Sequence, residues 1–532
     1  MRMKKIILPV LLLAIVNQLK AQSSFSGDLQ LNSEFYQCDS LIGAIGTPHY
    51  DNLKSGIDAW LTTYYRNDAW GLEAGLRLDM FNNSNLHNPG TPYTDAGIGR
   101  WYISKKIDAL TITGGYIYDQ FGSGLIYRAY EERPLGIDNA LFGLELKYQL
   151  GENWEITAIG GQQKDLFTRY APVFKGVNIE GMIPTENKNI VIAPGAAFIN
   201  RTIDQENMNL IASQINSYEL EDRFVPKYNM YAASIYNTLT VKDVTWYFEY
   251  AQKTHEAIKD INGQLIDADG RVFYSSLTYS TSKIGDGFGI TGQFRTVDNW
   301  VMRVSPNETL LDGILDYLPS VTKQNSLRLT ARYQAVAQEL GEMAYQISTT
   351  FSPKKGYTIN LNYSNITDPE QLQLFREVFG DFEMRKSKYK LLLGGQYILY
   401  NQEVFENHPD IPMVEAITPF AEFTYKITKK KSIRMELQYQ NCEQDFGSWL
   451  YGLVEYNIAP KWSFALSDMW NYDPLKTEND LHYYSIFTAF TQKSTRFTLN
   501  YVKQIAGIVC TGGICRYEPA FSGLKAGMIA TF

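Results

Sequence analysis

The sequence predicts an all-β protein, a single large antiparallel transmembrane β-barrel of roughly 18–24 strands with long extracellular loops and short periplasmic turns. Three observations lead there. Apolar and polar residues alternate with period two along nearly the whole chain, as in strands that bury one face. The connections between these segments fall into two alternating classes, short and long. After residue 22 no apolar run reaches the roughly 20 residues that a membrane-spanning helix needs.

The first element is a secretory signal. Arg2, Lys4 and Lys5 form a charged start, residues 6–16 an apolar run, and Leu19-Lys20-Ala21 a cleavage region. The expected division is a cleaved signal peptide over 1–21 and a barrel over 22–532. No Cys follows the cleavage point, which argues against a lipid anchor. Loss of Arg2, Lys4, Lys5 and Lys20 takes the formal charge from −8 to −12, and no basic patch or nucleic-acid motif stands out.

The middle of the chain reads as strands. Trp70, Leu72, Ala74, Leu76, Leu78 and Met80 alternate with Gly71, Glu73, Gly75, Arg77 and Asp79. The same pattern recurs over 142–150, 327–334, 433–440 and 496–501. Aromatics make up 14% of residues, with 37 Tyr, as suits girdles at two membrane interfaces. Charged side chains on a lipid face cost up to about 2–4 kcal/mol near the midplane, so those that alternate with apolar residues are expected in the lumen. These are Glu73, Arg77, Asp79, Glu145, Lys147, Arg328, Arg332, Arg434, Glu436, Arg496 and Lys525. Arg128, Glu131, Glu132 and Arg133 add a cluster after a strand. Such charges either select polar solutes or form a mixed-sign network that fills a closed barrel.

Two regions break the rhythm. Residues 164–228 and 306–325 are expected as outer excursions or inward-folded constrictions, and 310–315 as a short helix. Of the four Cys, Cys510 and Cys515 flank Gly512-Gly513, a plausible turn, and are disulfide candidates; Cys38 and Cys442 stay open. Gly122-Ser123-Gly124 suits a tight bend in a strand.

At the C-terminal end, Leu524, Ala526, Met528, Ala530 and Phe532 share one face. Lys525, Gly527, Ala530 and Phe532 match a polar-x-Gly-x-x-apolar-x-aromatic pattern. It resembles the assembly signal of bacterial outer-membrane barrels, which implies the barrel-assembly machinery as a partner. With both termini periplasmic, parity places 492–494, 459–461 and 429–431 in periplasmic turns. It places 506–518, 471–480, 441–447 and 404–413 outside. Lys collects in the short turns, including Lys354-Lys355 and Arg385-Lys386.

An enzyme finds no support. The five His, at 49, 87, 255, 408 and 482, have no catalytic or metal-ligand spacing, and there is no nucleophile elbow. No metal or other cofactor is expected. No plug domain precedes the first strand near Phe25. The stretches from Leu318 to Gln324, Gly341 to Gln346, Tyr130 to Asn139 and Cys510 to Arg516 resemble signatures of an uncharacterised porin-like outer-membrane barrel family of diderm bacteria. That resemblance supports location and fold and carries over no substrate or catalytic residue. The expectation is a porin-like passive or loop-gated channel for small polar solutes, surrounded by outer-membrane lipid. The alternative is a closed barrel serving as scaffold or accessory subunit of an envelope secretion or assembly complex, with envelope proteins as partners.

Overall fold

A computed structural model describes residues 23–187, 189–477, 480–511 and 514–532; the side chains of 508–511, 514 and 515 are not described. The signal-peptide reading therefore lies outside the described residues. So does the Cys510–Cys515 pairing, although the two backbones stand directly opposite in the ribbon of Gly507–Thr511 and Ile514–Glu518.

Twenty-four strands form the wall. They are β1 (Ser23–Tyr36), β2 (Ser55–Asn67), β3 (Leu72–Ser84), β4 (Tyr93–Ile107), β5 (Leu110–Ile117), β6 (Leu141–Leu150), β7 (Trp154–Asp165) and β8 (Val173–Gly181). Next come β9 (Ile190–Thr202), β10 (Asn229–Val241), β11 (Val244–Lys259), β12 (Leu265–Thr281), β13 (Gly287–Asp298), β14 (Gly341–Lys354), β15 (Tyr357–Thr367) and β16 (Gln373–Arg385). The last are β17 (Tyr389–Tyr400), β18 (Val414–Lys426), β19 (Lys431–Cys442), β20 (Gly447–Ile458), β21 (Trp462–Pro474), β22 (Leu481–Gln492), β23 (Thr495–Gln504) and β24 (Phe521–Thr531).

Each strand pairs antiparallel with its sequence neighbours, and β24 pairs with β1, from Asp28 opposite Thr531 to Tyr36 opposite Gly523. Closure removes every sheet edge, which a wall in lipid requires. Beyond the ladder, Gly27 and Phe532 exchange backbone hydrogen bonds of 2.9 and 3.0 Å. A Cβ at Gly27 would stand 2.6 Å from the Phe532 ring, so the terminal aromatic rests where only glycine leaves room.

One end of the barrel carries tight turns. Two-residue connections at 108–109, 242–243 and 493–494 start with a positive φ at Asp108, Lys242 and Lys493, and 355–356 has its positive φ at Gly356. That conformation matches the twist of the flanking strands. The other end carries the long connections, of which 299–340, 203–228 and 118–140 are longest. Every turn and loop assigned by parity falls at the expected end.

The outer face is apolar. Leu76, Leu78 and Met80 are 42%, 44% and 43% exposed, while Arg77 and Asp79 between them are 2% and 4% exposed and face the lumen. Outward rings form two girdles. Tyr279, Phe288 and Phe351 are in contact near the short-turn end. Phe273–Phe294 and Tyr345–Tyr363 are in contact toward the other. Phe273 and Tyr279, Phe288 and Phe294, and Tyr345 and Phe351 are each six residues apart, about 20 Å of strand. An apolar band between aromatic girdles is the form of a transmembrane barrel. Among the described residues no helix is long and apolar enough to cross a membrane.

Several expectations are corrected. The alternation over 327–334 is not a wall strand: these residues form turns inside the barrel. Strands there would need hydrogen-bonded neighbours, but β13 already pairs directly with β14 across the loop. Residues 164–228 are no single excursion, since they contain β8, β9 and an outer helix α1 (Gln205–Asn216). That helix buries Met208, Ile211 and Ile215 against Ala257 and Leu265 of the β11–β12 hairpin. The run 310–315 makes turns and a bridge from Arg303 to Ile314 rather than a helix. Gly122-Ser123-Gly124 bends within a loop, and Trp70 sits in a turn rather than in β3.

Candidate functional site

The lumen is the site, and two loops fill much of it. Residues 118–140 and 299–340 fold inward and lock to one another. The amide of Arg128 donates to Leu315 O and that of Tyr317 to Gly124 O, both at 2.9 Å. The Trp300 indole donates to Leu125 O at 2.8 Å. Their apolar residues, among them Phe121, Leu125, Trp300, Met302, Leu315 and Val321, pack with inward residues of the wall from β6 round to β19 in one cluster.

Polar wall residues hold this plug. Arg201 bonds Glu256 and donates to Arg303 O and Val304 O at 3.2 Å each. Lys253 bonds Glu256 at 2.6 Å and Val301 O at 2.7 Å. Arg295 bonds Glu342 at 2.9 Å through Nε and also reaches Pro319 O. Glu249 accepts from the Ser123 amide and hydroxyl at 2.8 and 2.6 Å. At the plug tip, Gln438 accepts from the Leu329 amide at 2.8 Å and Gln440 donates to Leu329 O at 3.2 Å. Gln396 donates to Thr330 O at 3.0 Å. A buried ion or amide left unpaired is costly, so each of these wall groups fixes the loop it meets.

The charged residues read from sequence face inward but mostly meet partners. Arg77 bonds Asp79 and Glu131 at 2.7 Å and Asp138 at 2.5 Å, and Lys164 also bonds Asp138. The carboxyl of Asp138, in the inner loop, is opposed by burial, but Lys164 and Arg77 outweigh this and hold it at about 2. Arg133 bonds Glu131 at 2.7 Å and lies over Trp60. Arg128 lies over Tyr130 and Tyr317. Glu132 stands in the ribbon opposite Ile137. Glu73 accepts from Tyr102 Oη at 2.6 Å. Lys147 reaches Asp119 and Glu145 at 3.0 and 3.6 Å. Arg434 contacts Glu422, Glu436 and Glu455. Lys525 bonds Glu34 at 2.8 Å, and Arg496 lies near the short-turn end opposite Thr491. Arg328 and Arg332 belong to the plug, not the wall.

Sequence reasoning missed the groups that grip loop carbonyls: Arg201, Lys253, Arg295, Gln396 and Gln440. Their immediate neighbours, such as Asn200 and Thr202 beside Arg201 and Gln252 and Thr254 beside Lys253, are largely polar, so the sequence carried no clear alternation to mark them. Cys38 and Cys442 are free thiols.

Beside the plug a cavity of about 2050 Å³ reaches in from the long-loop end. It runs along Trp60, Arg77 and Phe81 of β2 and β3 and past Met469 and Gln504 of β21 and β23. Among the described residues no group of three His, Cys, Asp or Glu is placed to hold a metal.

Fold and lumen together define a transmembrane β-barrel partly filled by its own loops. The chain belongs to the Family of unknown function (DUF6029), whose model matches residues 3–532. No curated protein matches it. Among solved structures it is similar to the P pilus usher (PapC) translocation pore, at 10% identity and TM-score 0.43, covering 95% of this chain and 99% of that one. It is similar also to the siderophore receptor PirA from Acinetobacter baumannii, at 9% identity and TM-score 0.45, covering 97% and 81%. OccK8 (OprE) from Pseudomonas aeruginosa is similar at 10% identity and TM-score 0.35, covering 71% and 95%.

Proposed function

We propose that this protein is a porin-like channel of the outer membrane, passive or loop-gated, for small polar solutes. It is exported by a signal over 1–21, with 22–532 as the barrel. Its strand β24 engages the barrel-assembly machinery through Lys525, Gly527, Ala530 and Phe532. The short turns face the periplasm and the long loops the outside. The observation that carries this reading is the cavity of about 2050 Å³ beside the plug, whose lining sets charged side chains such as Arg77, Asp138, Arg328 and Asp445 among apolar ones. A barrel built only as a scaffold has no need of a large open cavity that holds charged groups. Loops 118–140 and 299–340 set the bore. The role is transport rather than catalysis.

The test is conductance of the refolded mature protein in a planar bilayer, with folding checked by heat-modifiable migration on gels. Stable ohmic steps support the channel. Silence from a folded barrel sinks it and favours the second reading, a scaffold or accessory subunit of an envelope complex. That reading draws on the short-turn rim, where Lys354, Lys355, Arg385, Lys386, Lys388, Lys429, Lys430, Lys431, Lys461 and Lys493 are exposed on successive turns. Such a crescent suits an acidic envelope partner.

A further inference from the structure

We propose that the plug tip carries an anion-binding station in the lumen, centred on Arg328, and that the solutes passing it are small oxyanions, carboxylates or phosphates. This rests on the channel reading for the passage of solute, but the binding site stands on its own geometry.

The turn that carries Arg328 is rigidly placed. Its neighbour Leu329 is held through both backbone groups, by Gln438 at 2.8 Å and Gln440 at 3.2 Å, and Thr330 O is held by Gln396 at 3.0 Å. Two wall strands, β17 through Gln396 and β19 through Gln438 and Gln440, thus fix the backbone on which the guanidinium stands. The Arg328 side chain is exposed and lines the cavity.

Its surroundings are short of negative charge. Among the described residues Arg328 has no ion pair, and its charged neighbour is Arg332. Although it touches the cavity it is ringed by protein, and burial, then Arg332, push its pKa down. Arg332 cannot supply a counterion and cannot move away. It bonds Asp445 at 3.2 Å and is stacked 4.5 Å from the Trp449 ring centre and 5.3 Å from that of Phe446. Asp445 is shared a second time, with Lys476 at 2.6 Å. Arg332 and Lys476 thus share the Asp445 carboxylate, and Arg328, which lines the same cavity, is left without a part in it. Glu406, which lines the same cavity, is engaged by Gln402 at 3.3 Å and His408 at 3.7 Å.

A fixed cation beside a like charge, in a cavity of reduced dielectric, recruits its counterion from solution. A guanidinium offers a planar fork that matches carboxylate or phosphate oxygens. The contrast with Arg434 is informative: that arginine already has three carboxylates and nothing left to offer a solute.

The experiment has two independent readouts on folded, heat-modifiable protein. The first is reversal potential in a KCl gradience across a planar bilayer, with succinate or inorganic phosphate added. Wild type is expected to prefer anions, and succinate or phosphate to reduce the chloride current. Arg328→Ala should lose both properties, Arg328→Lys should keep the anion preference, and Lys493→Ala on an exposed turn should change nothing. The second is calorimetric titration of succinate and of phosphate into the protein in detergent, which needs no conduction. Arg328→Ala should weaken binding by about tenfold or more, the worth of a charge-assisted hydrogen bond. Whichever anion binds tighter identifies the oxyanion class. No current, yet anion binding lost in Arg328→Ala, keeps the station and overturns the channel. A cation-selective wild type, or binding and selectivity unaltered in Arg328→Ala, overturns the station.

Discussion

The wall and the plug manage charge in different ways. On the wall, partners stand across from one another in register. Arg434 of β19 lies opposite Thr424 and Glu455, and it meets Glu422, Glu436 and Glu455 on three neighbouring strands. In the plug, wall side chains mostly reach main-chain carbonyls: Arg201 to Arg303 O and Val304 O, Lys253 to Val301 O, Arg295 to Pro319 O, and Gln440 to Leu329 O. Wall pairing is a product of strand geometry. Plug anchoring is a set of grips on irregular backbone, whose polar groups must be satisfied once buried. The difference teaches that the wall tolerates local exchange of charge, whereas the plug depends on a few long side chains.

The largest effect that would break this comparison is expected at Arg295. Arg295→Ala leaves Glu342 buried without its cation and frees Pro319 O. Removing one partner of a buried pair costs about 3–5 kcal/mol. The cost should fall on the plug, because β13 and β14 keep their full ladder. Limited proteolysis should then cut within 299–340 while the barrel stays heat-modifiable, and unit conductance should rise. Loss of the folded barrel itself would show that wall and plug are one cooperative unit.

Acid should loosen the plug tip at Asp445. Burial opposes its ionisation, but Arg332 and then Lys476 outweigh this and hold the carboxyl at about 2. Its ordinary value in an unfolded chain is about 3.9. A carboxylate with a lowered pKa stabilises the fold above that ordinary value, and the contribution disappears as pH falls from about 4 through about 2. The amount at neutral pH is about 2 kcal/mol. Protease access to 326–334 should therefore rise between pH 4 and 2 in wild type. In Asp445→Asn it should already be raised at pH 7 and flat with acid. A wild-type transition that persists unchanged in Asp445→Asn would place the acid sensor elsewhere.

How much of this was legible in sequence follows the same line. The wall was legible because period two is imposed by the pleat itself: Leu76, Leu78 and Met80 face out and Arg77 and Asp79 face in, as read. The alternation of short and long connections was likewise visible. Residues 327–334 misled because Leu329 and Tyr333 are buried and Arg328 is exposed, so an inward turn imitates a strand. What binds the plug leaves no period at all, since a backbone carbonyl has the same chemistry at every residue. The inward placement of 306–325 was among the expected alternatives; that of 118–140 was announced only by its charges. Arg201 and Lys253 were not singled out at all, because only their bonds to Val304 O and Val301 O mark them as grips.

A smaller effect is expected from the neutral grips. Gln440→Leu leaves Leu329 O and Thr418 Oγ1 without their 3.2 and 3.0 Å donors. A buried polar group deprived of its partner costs about 1–2 kcal/mol. Single-channel traces should show more open-state noise, with mean conductance little changed, because Gln438 and Gln396 still hold the turn. A silent or fully open channel would mean that one glutamine carries the whole tip.

The smallest effect on the plug sharpens the wall side of the comparison. Arg434 is partly exposed, and Lys390 independently bonds Glu422 at 2.7 Å, so one of the three carboxylates keeps a cation when Arg434 is removed. Glu436 is buried but keeps its bond from Gln438, and Arg434 itself is partly exposed, so the loss is expected at about 1–2 kcal/mol, less than at Arg295. Arg434→Ala should thus lower the midpoint of thermal unfolding by only a few degrees and leave the protease pattern of 299–340 as in wild type. The wall strands carrying Glu422, Glu436 and Glu455 are tied by their own ladders, and no carbonyl of the plug rests on this arginine. If Arg434→Ala released the plug as Arg295→Ala is expected to, the distinction between register-borne pairs and backbone grips would fail.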